Sequence, residues 1–184
     1  MKLLIAALSV CLISALANAG DVKLPEKLDA SGFHNVLADA GKAFISGQPT
    51  EEGLKRLAAE GITTVINFRR ASEMKDSVDF DEAATAKALG LTYVHIPVGD
   101  DEHPYSAEAL AAFGKAMKAA KGKALVHCAS AYRASHMWTA YLVQYEGVEL
   151  NEAISHGRAV NLRTQPFETL LGGVTYSRRE KAEK

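Results

Sequence analysis

Residues 124–145 of the chain read ALVHCASAYRASHMWTAYLVQY and predict a strand, a tight loop and a helix in that order. The run from Ala124 to His127 is short and apolar, which is typical of a buried strand. Most residues between Cys128 and Arg133 are small, and helical spacing of apolar residues begins near Arg133. A thiol at the end of a strand, followed by an arginine at a helix N-terminus, indicates an anion site that contains a nucleophile.

The rest of the sequence alternates strand and helix patterns. Short apolar runs predict three further strands at residues 43–47, 62–68 and 91–98. Helices are predicted after Thr50, at residues 81–89, after Ser106, after Asn151 and near residues 167–171. Strands that alternate with helices in this way form parallel sheets. The expected fold is therefore α/β, with a central, mostly parallel sheet of four to five strands flanked by helices on both faces.

The two ends of the chain are expected to lie outside the folded domain. Residues 1–19 combine Lys2, an apolar run and a small-residue ending, which is the layout of a secretory signal peptide. Cleavage after Ala19 would leave a periplasmic or secreted protein with no stable membrane anchor. The expected divisions are a loose lead segment at 20–42, a catalytic domain at 43–175 and a charged tail at 176–184.

The composition argues against two classes of partner. The net charge is −1, and the clearest basic cluster is the mixed tail at residues 177–184. Binding to nucleic acid or to an anionic membrane would need a basic face, so neither partner is expected. The six histidines are scattered and show no metal-ligand spacing. Neither a metal nor another cofactor is expected.

Cysteine counting isolates one thiol. The chain has two cysteines, and Cys11 would leave with the signal peptide. In an oxidising compartment the remaining Cys128 has no intramolecular disulfide partner, so it is a buried small side chain, a link to another chain or a reactive group. The following helix N-terminus and the charge of Arg133 both stabilise a thiolate, which favours the reactive group.

The loop between Cys128 and Arg133 has the composition of an anion cradle. Its four residues are Ala129, Ser130, Ala131 and Tyr132. Small side chains allow backbone amides to approach a bound anion and form a nest. Arg133 can hold two oxygens of that anion with its planar fork.

Two arginines follow the strand at residues 62–68. Ligands of open parallel sheets bind beyond the carboxyl ends of the strands, so Arg69 is predicted to bind substrate at the rim of the site. The alternative is that Arg69 and Arg70 lie in a solvated loop.

Two stretches carry a family resemblance. Residues 127–135, HCASAYRAS, resemble the active loop of the cysteine-based protein phosphatases. Residues 46–69, SGQPTEEGLKRLAAEGITTVINFR, resemble the bacterial dual-specificity-phosphatase-like family that forms the phosphatase-like domain of beta-lactamase hydrolase-like proteins. The resemblance implies that Cys128 is the nucleophile, that Arg133 binds the phosphoryl oxygens, and that no metal is needed. It also implies that His127 orients the loop, although a structural strand-end histidine is equally consistent.

The loop departs from the usual phosphatase pattern in three ways. It has four residues between cysteine and arginine, where tyrosine and dual-specificity phosphatases have five, and it shares this shorter length with rhodanese-type sulfurtransferases. Ala131 stands where glycine is usual, which costs free energy if the position needs a positive φ. Ala134 replaces the hydroxyl residue that usually follows the arginine, with Ser135 one place later.

A phosphatase also needs a general acid. The superfamily places this aspartate on the loop after an earlier strand, which by resemblance assigns Asp100, with Asp101 as the alternative. His103 is a possible substitute, and Gly-Asp-Asp is also ordinary turn composition.

These observations predict a metal-independent, cysteine-dependent phosphatase that hydrolyses phosphomonoesters through a phosphocysteine intermediate. Its substrate would be a phosphorylated protein or a small phosphomonoester. A persulfide sulfurtransferase that uses the same thiol is the first alternative. An anion-binding pseudophosphatase is the second.

Overall fold

A computed structural model describes residues 23–163 of the chain. The expected signal peptide at 1–19, the short helix near 167–171 and the tail at 176–184 lie outside the described residues. Within 23–163, no helix is both long enough and apolar enough to cross a membrane.

Residues 23–163 form six strands and six helices. The strands are β1 (Glu26–Lys27), β2 (Leu37–Asp39), β3 (Ala43–Ser46), β4 (Thr64–Asn67), β5 (Thr92–His95) and β6 (Ala124–His127). The helices are α1 (Glu51–Ala59), α2 (Ala71–Ser77), α3 (Glu82–Ala88), α4 (Ala107–Ala119), α5 (Tyr132–Glu146) and α6 (Leu150–Val160).

The strands make one sheet in the order β1-β2-β3-β6-β4-β5. β3, β6, β4 and β5 pair in parallel, whereas β1 and β2 are added antiparallel to β3. The predicted α/β class with a mostly parallel sheet is confirmed. The sheet has six strands because residues 23–42, expected to be a loose lead segment, supply both antiparallel strands and so belong to the folded domain.

Helix start signals explain most of the helix positions. The side chains of Thr50, Asp81 and Ser106 each accept a hydrogen bond from a backbone N–H in the first turn of α1, α3 and α4. The expected cap of α6 is wrong by two residues. Glu149 caps that helix, because its carboxylate accepts from the backbone N–H groups of Asn151 and Glu152.

Two apolar layers cover the two faces of the sheet. One layer joins α4, α5 and α6 to the sheet residues Ala124, Val126 and Ile66. The other joins α1 and α3 to Leu125 and Val65. Alternate residues of β6 therefore point to opposite layers, and this alternation decides where the side chains of the following loop lie.

Helix α2 is stabilised by hydrogen bonds at its N-terminus and not by burial of an apolar face. No helix was predicted for its residues, and none of its side chains is buried. The carboxylate of Glu73 accepts a hydrogen bond from the backbone N–H of Arg70 at 2.9 Å, which satisfies one donor at the helix start. The same carboxylate reaches into the candidate site described below.

Candidate active site

The carboxyl ends of three adjacent parallel strands meet at one edge of the sheet. β6 lies between β3 and β4, and His127 is in register with Ser46 on one side and with Asn67 on the other. The loop after β6 is thereby placed between the segments that follow β3 and β4. This is the edge at which open parallel sheets bind ligands.

Cys128 begins that loop and is buried, with 1% of its surface exposed. Its backbone N–H donates to the carbonyl of Ser46 at 3.4 Å. Its side chain belongs to the apolar layer formed with α4 and α5. The sequence left a buried side chain, a link to another chain and a reactive group as alternatives, and the structure shows a buried cysteine at the start of the loop between β6 and α5.

The carbonyl groups of the loop are each fixed from outside it. The Ala129 carbonyl accepts from the Gln48 backbone N–H at 3.0 Å, and the Ala131 carbonyl accepts from the Ser135 N–H at 2.8 Å. The Ser130 carbonyl accepts from two side-chain amides, those of Asn35 and Asn161. The loop is thus held by neutral hydrogen bonds from several parts of the fold.

Ala131 adopts the left-handed conformation, with φ 65° and ψ −1°. The expected cost of alanine in place of glycine therefore applies, at about 1–2 kcal/mol. Gly47 lies beside the loop for a steric reason, since a Cβ there would be 1.8 Å from the carbonyl oxygen of His34 and 3.0 Å from that of Ala129.

The guanidinium of Arg133 is held by a carboxylate. Its Nη1 and Nη2 donate to Glu73 Oε2 and Oε1 at 2.8 and 2.7 Å, and Nη1 also donates to the carbonyls of Phe68 and Val98. Burial disfavours the charge of Arg133, but Glu73 and Cys128 outweigh it, so the pKa of Arg133 is raised. Arg133 therefore remains a fixed cation.

Glu73 occupies only one edge of the arginine fork. Its two oxygens take the edge between Nη1 and Nη2. Within residues 23–163, the Nε–H of Arg133 makes no hydrogen bond. The edge between Nε and Nη2 is therefore available for two oxygens of an anion, which matches the bidentate geometry of phosphoryl recognition.

The loop that carries Asp100 lies against Arg133. A Cβ at Gly99 would be 2.9 Å from Arg133 Cδ. Asp100 Oδ2 is 3.4 Å from Arg70 Nη1, and Arg70 Nε is 2.8 Å from Glu73 Oε2. A continuous series of ion pairs therefore connects Asp100 to Arg133 through Arg70 and Glu73.

The surroundings of Asp100 favour its ionised form. Desolvation raises its pKa, but hydrogen bonds from the backbone and ring of His103 and from Arg70 outweigh desolvation, so the pKa is lowered overall. His103 N–H lies 2.7 Å from Asp100 Oδ1 and its Nδ1 lies 3.2 Å away. Asp101 is exposed beside it. The structure thus places His103 as a partner of Asp100 in the resting site.

His127 lies in the interior, beside helix α3. It is the last residue of β6 and is completely buried, and its Nε2 lies 2.9 Å from Glu82 Oε1 of α3. Glu82 also bonds the side chains of Asn67 and Tyr93. Because side chains alternate along β6, His127 faces the α3 layer while Cys128 faces the α5 layer. His127 can therefore support the loop only through its buried contacts at the end of β6.

Arg69 is not at the exposed rim, in contrast to the expectation. It is 5% exposed, and its Nη1 donates to Gln48 Oε1 at 2.9 Å. Its Nη2 donates to the carbonyl of Glu73 at 3.3 Å. These two hydrogen bonds hold the Arg69 side chain within the fold. Arg70, which was not selected from the sequence, occupies the rim instead.

The hydroxyl group of Ser135, two residues after Arg133, donates its hydrogen bond to a backbone carbonyl. Ser135 is buried, and its Oγ donates to the carbonyl of Tyr132 at 2.9 Å. Ala134 supplies no hydroxyl. Neither residue therefore offers the thiolate the hydrogen bond that the usual phosphatase loop provides.

Sequence reasoning missed four supporting residues that are far from the loop in the sequence. These are Glu73, Glu82, Asn35 and Asn161. Asn35 has a positive φ of 69°, a conformation that asparagine tolerates better than most residues. Glu73 follows Arg70 at capping-box spacing, which was the available signal. Nothing local marks Glu82 or Asn161, because their partners depend on the topology of the sheet.

The arrangement joins a thiol, a fixed guanidinium and a carboxylate around one loop. Among residues 23–163, no group of three or more histidine, cysteine or acidic side chains is arranged to hold a metal ion. The chemistry available to the described groups is nucleophilic attack by sulfur, stabilisation of an anion and proton transfer.

Comparison with known proteins agrees with this geometry. Residues 40–144 match the model of the phosphatase-like domain of beta-lactamase hydrolase-like proteins. The beta-lactamase hydrolase-like protein of Xylella fastidiosa (strain Temecula1) is 31% identical over 135 residues, which are 68% of this chain and 31% of that protein. The chain thus spans about a third of the length of this curated relative.

Solved structures show the same fold. A putative phosphatase from Shewanella putrefaciens CN-32 superposes with a TM-score of 0.60 at 31% identity, covering 77% of this chain and 91% of that one. TpbA from P. aeruginosa, in complex with pTyr, superposes with a TM-score of 0.55 at 16% identity, covering 73% and 77%. The chain belongs to the family of phosphatase-like domains found in beta-lactamase hydrolase-like proteins, within the cysteine phosphatase fold.

Proposed function

We propose that the protein hydrolyses phosphomonoesters with Cys128 as its nucleophile. The observation that carries the proposal is the state of Arg133. Glu73 holds its guanidinium by one edge, and the edge toward Nε remains available beside the loop that begins with the thiol. Cys128 and Arg133 are close enough to interact electrostatically. This combination suits a transferring phosphoryl group.

In the first step, the Cys128 thiolate attacks phosphorus. The sulfur–phosphorus bond forms as the bond from phosphorus to the leaving oxygen breaks. Arg133 and the loop amides hold the phosphoryl oxygens, and Asp100 gives its proton to the leaving oxygen. Asp100 is ionised in the resting site, and the negative charge of a bound phosphomonoester raises its pKa, so that it takes up a proton from solvent before the leaving oxygen departs.

In the second step, water attacks the phosphocysteine. Asp100, now ionised, accepts a proton from the water as the new oxygen–phosphorus bond forms. The sulfur–phosphorus bond breaks and the thiolate returns. Inorganic phosphate leaves, Asp100 releases the proton to solvent, and the starting state is restored, so neither a metal nor a redox partner enters the balance.

The substrate class follows from the same chemistry. The complex of TpbA with pTyr supports a phosphorylated tyrosine, or another phosphomonoester with a good leaving group, as the substrate. The layout of residues 1–19 supports an exported location, which N-terminal sequencing of the protein from periplasmic and extracellular fractions would test.

One observation favours a second candidate, an anion-binding protein without turnover. The hydroxyl of Ser135 is bonded to the carbonyl of Tyr132, and Ala134 has none. A thiolate leaving group without that hydrogen bond is harder to release. Such a protein would bind phosphate but turn over slowly or not at all.

A paired assay separates these functions. Hydrolysis of an aryl phosphate and transfer of sulfur from thiosulfate to cyanide are measured on the wild type and on Cys128→Ser. We expect phosphate release by the wild type and none by the variant. Brisk sulfur transfer without phosphate release would support the sulfurtransferase alternative. Phosphate binding with neither activity would support the second candidate.

A further inference from the structure

The carbonyl of Ser130 is held by two asparagine side chains from opposite ends of the described chain. Asn35 Nδ2 donates to it at 3.1 Å and Asn161 Nδ2 at 2.7 Å. Asn35 precedes β2, and Asn161 is the C-terminal cap of α6. Both contacts act on one peptide group, the one that joins Ser130 to Ala131.

That peptide leads into the strained residue of the loop. Ala131 has a φ of 65°, a conformation that alanine disfavours and glycine adopts readily. In a trans peptide the carbonyl and the next N–H point in opposite directions. Fixing the Ser130 carbonyl therefore also fixes the direction of the Ala131 N–H. The two asparagines stabilise the peptide orientation that a positive φ at Ala131 accompanies.

We propose that Asn35 and Asn161 form a latch that holds residues 128–133 in their anion-binding conformation and compensates for alanine at position 131. The inference rests on the proposed function only in treating this loop as a phosphate site. Both asparagines are positioning residues, because they act through the carbonyl of Ser130.

Each arm of the latch is anchored by its own element. Asparagine tolerates the positive φ of Asn35. Gly47 allows His34, the residue before Asn35, to approach closely, since a Cβ at position 47 would be 1.8 Å from the His34 carbonyl oxygen. Asn161 is fixed at the end of α6, where its N–H donates to the carbonyl of Gly157 at 3.1 Å. The latch therefore ties the loop to the N-terminal strands and to the last described helix.

The proposal predicts a dependence between distant positions. Without an asparagine, an alanine at 131 is drawn toward negative φ, which turns the peptide and moves its N–H away from a bound anion. A glycine at 131 keeps positive φ accessible without help. Loss of the latch should therefore weaken anion binding strongly with alanine at 131 and only slightly with glycine there.

The test measures binding of inorganic phosphate by NMR titration of the ¹⁵N-labelled protein. Asn161→Ala should raise the dissociation constant about tenfold, the effect of one lost hydrogen bond at the upper end of its usual range. In the Ala131→Gly background, Asn161→Ala should raise it no more than about twofold. An equal factor in both backgrounds would overturn the latch.

Two further variants guard against a simple folding defect. Asn35→Gly removes the second amide while preserving positive φ, and it should reproduce the loss of phosphate affinity in a protein that still unfolds cooperatively. Asn151→Ala, at the other end of α6 on an exposed residue, should leave phosphate affinity unchanged. Normal phosphate affinity in both Asn35→Gly and Asn161→Ala would contradict the proposal.

The latch and the proposed function fail in different ways. Phosphate binding is read without turnover, so absence of hydrolysis together with the expected coupling would overturn only the proposed function. Hydrolysis together with equal effects in both backgrounds would overturn only the latch. A wild type that binds no phosphate would overturn both.

Discussion

Two loops at the same edge of the sheet are held in different ways. The anion loop that begins with Cys128 is fixed by neutral hydrogen bonds to its carbonyl groups, including those from Gln48 and Asn161. The acid loop that carries Asp100 is fixed by charge, through Arg70 and His103, whose side chains are 38% and 39% exposed. The anion loop is held by uncharged hydrogen-bonding groups, whereas the acid loop is held by partly exposed charged side chains.

Because of this difference, the two loops should respond differently to pH and to salt. Neutral hydrogen bonds change little with pH or salt, whereas exposed ion pairs are screened and titrate. Binding of the phosphoryl group should therefore depend on the shape of the anion loop. Proton delivery should depend on solution conditions through the acid loop.

The largest expected effect separates the two loops directly. Asp100→Asn removes the proposed proton donor and should lower kcat for aryl phosphate by ~10²–10⁴-fold while phosphate binding is kept. Asp101→Asn is the matched control, since that carboxylate is exposed, and it should leave kcat unchanged. Steady-state kinetics measures both. If Asp101→Asn alone is inactive, the acid has been assigned to the wrong residue.

The next effect concerns the anion loop. Arg133→Lys keeps the charge but removes the fork, so it should lower kcat by ~10²–10³-fold and also weaken phosphate binding. Arg158→Lys, an exposed change on α6, serves as the control. Retention of full activity in Arg133→Lys would show that the fork does not hold the phosphoryl group.

Glu73 joins the two loops, and its removal should affect stability as well as binding. Hydrogen bonds from Arg133 and Arg70 outweigh desolvation and lower the pKa of Glu73 far below its ordinary 4.5. A lowered folded-state pKa means that the carboxylate stabilises the fold above about pH 4.5 and loses that contribution as the pH falls.

Glu73→Gln should therefore destabilise the protein by ~1–2 kcal/mol at neutral pH, and the difference should shrink under acid. Denaturant unfolding at a series of pH values measures it. Glu51→Gln is the control, because Glu51 pairs with Lys55 on the exposed surface of α1. A constant difference at every pH would contradict the role given to the Glu73 charge.

The smallest expected effect is a shift in pH dependence. Arg70 lies beside Asp100 and helps to lower its pKa, so Arg70→Gln should raise that pKa. More of the acid is then protonated at a given pH, and the descending limb of the rate profile should move to higher pH. Rates measured against pH, with Lys75→Gln as the exposed control, would show it. If the descending limb does not move, Arg70 does not influence the pKa of the acid.

The sequence predicted the parts of this site that are close together in the chain. The small loop from Cys128 to Arg133, the strand before it and the helix after it are local patterns. Asp100 was assigned through the family resemblance, which places the acid on the loop after an earlier strand, and the structure brings that loop against Arg133. Local spacing carries this information because strand ends of a parallel sheet meet at one edge.

The supporting contacts were beyond local patterns. Glu73 lies on a helix without buried residues, so no apolar periodicity marked it. Asn35 and Asn161 meet only because the sheet and α6 bring them to the same carbonyl. Arg69 was expected at the rim, but its hydrogen bonds to Gln48 and to the Glu73 carbonyl hold it in the interior. Each miss concerns a side chain whose partner is fixed by the fold and not by sequence neighbours.

The most direct test of the central claim is a search for the covalent intermediate. Asp100→Asn and the wild type are mixed with an aryl phosphate, quenched rapidly in acid and digested for mass spectrometry. The account predicts one phosphoryl group on the peptide that contains Cys128, and none in Cys128→Ser. Phosphate release by the wild type with no label on Cys128, or with the label on another residue, would contradict it.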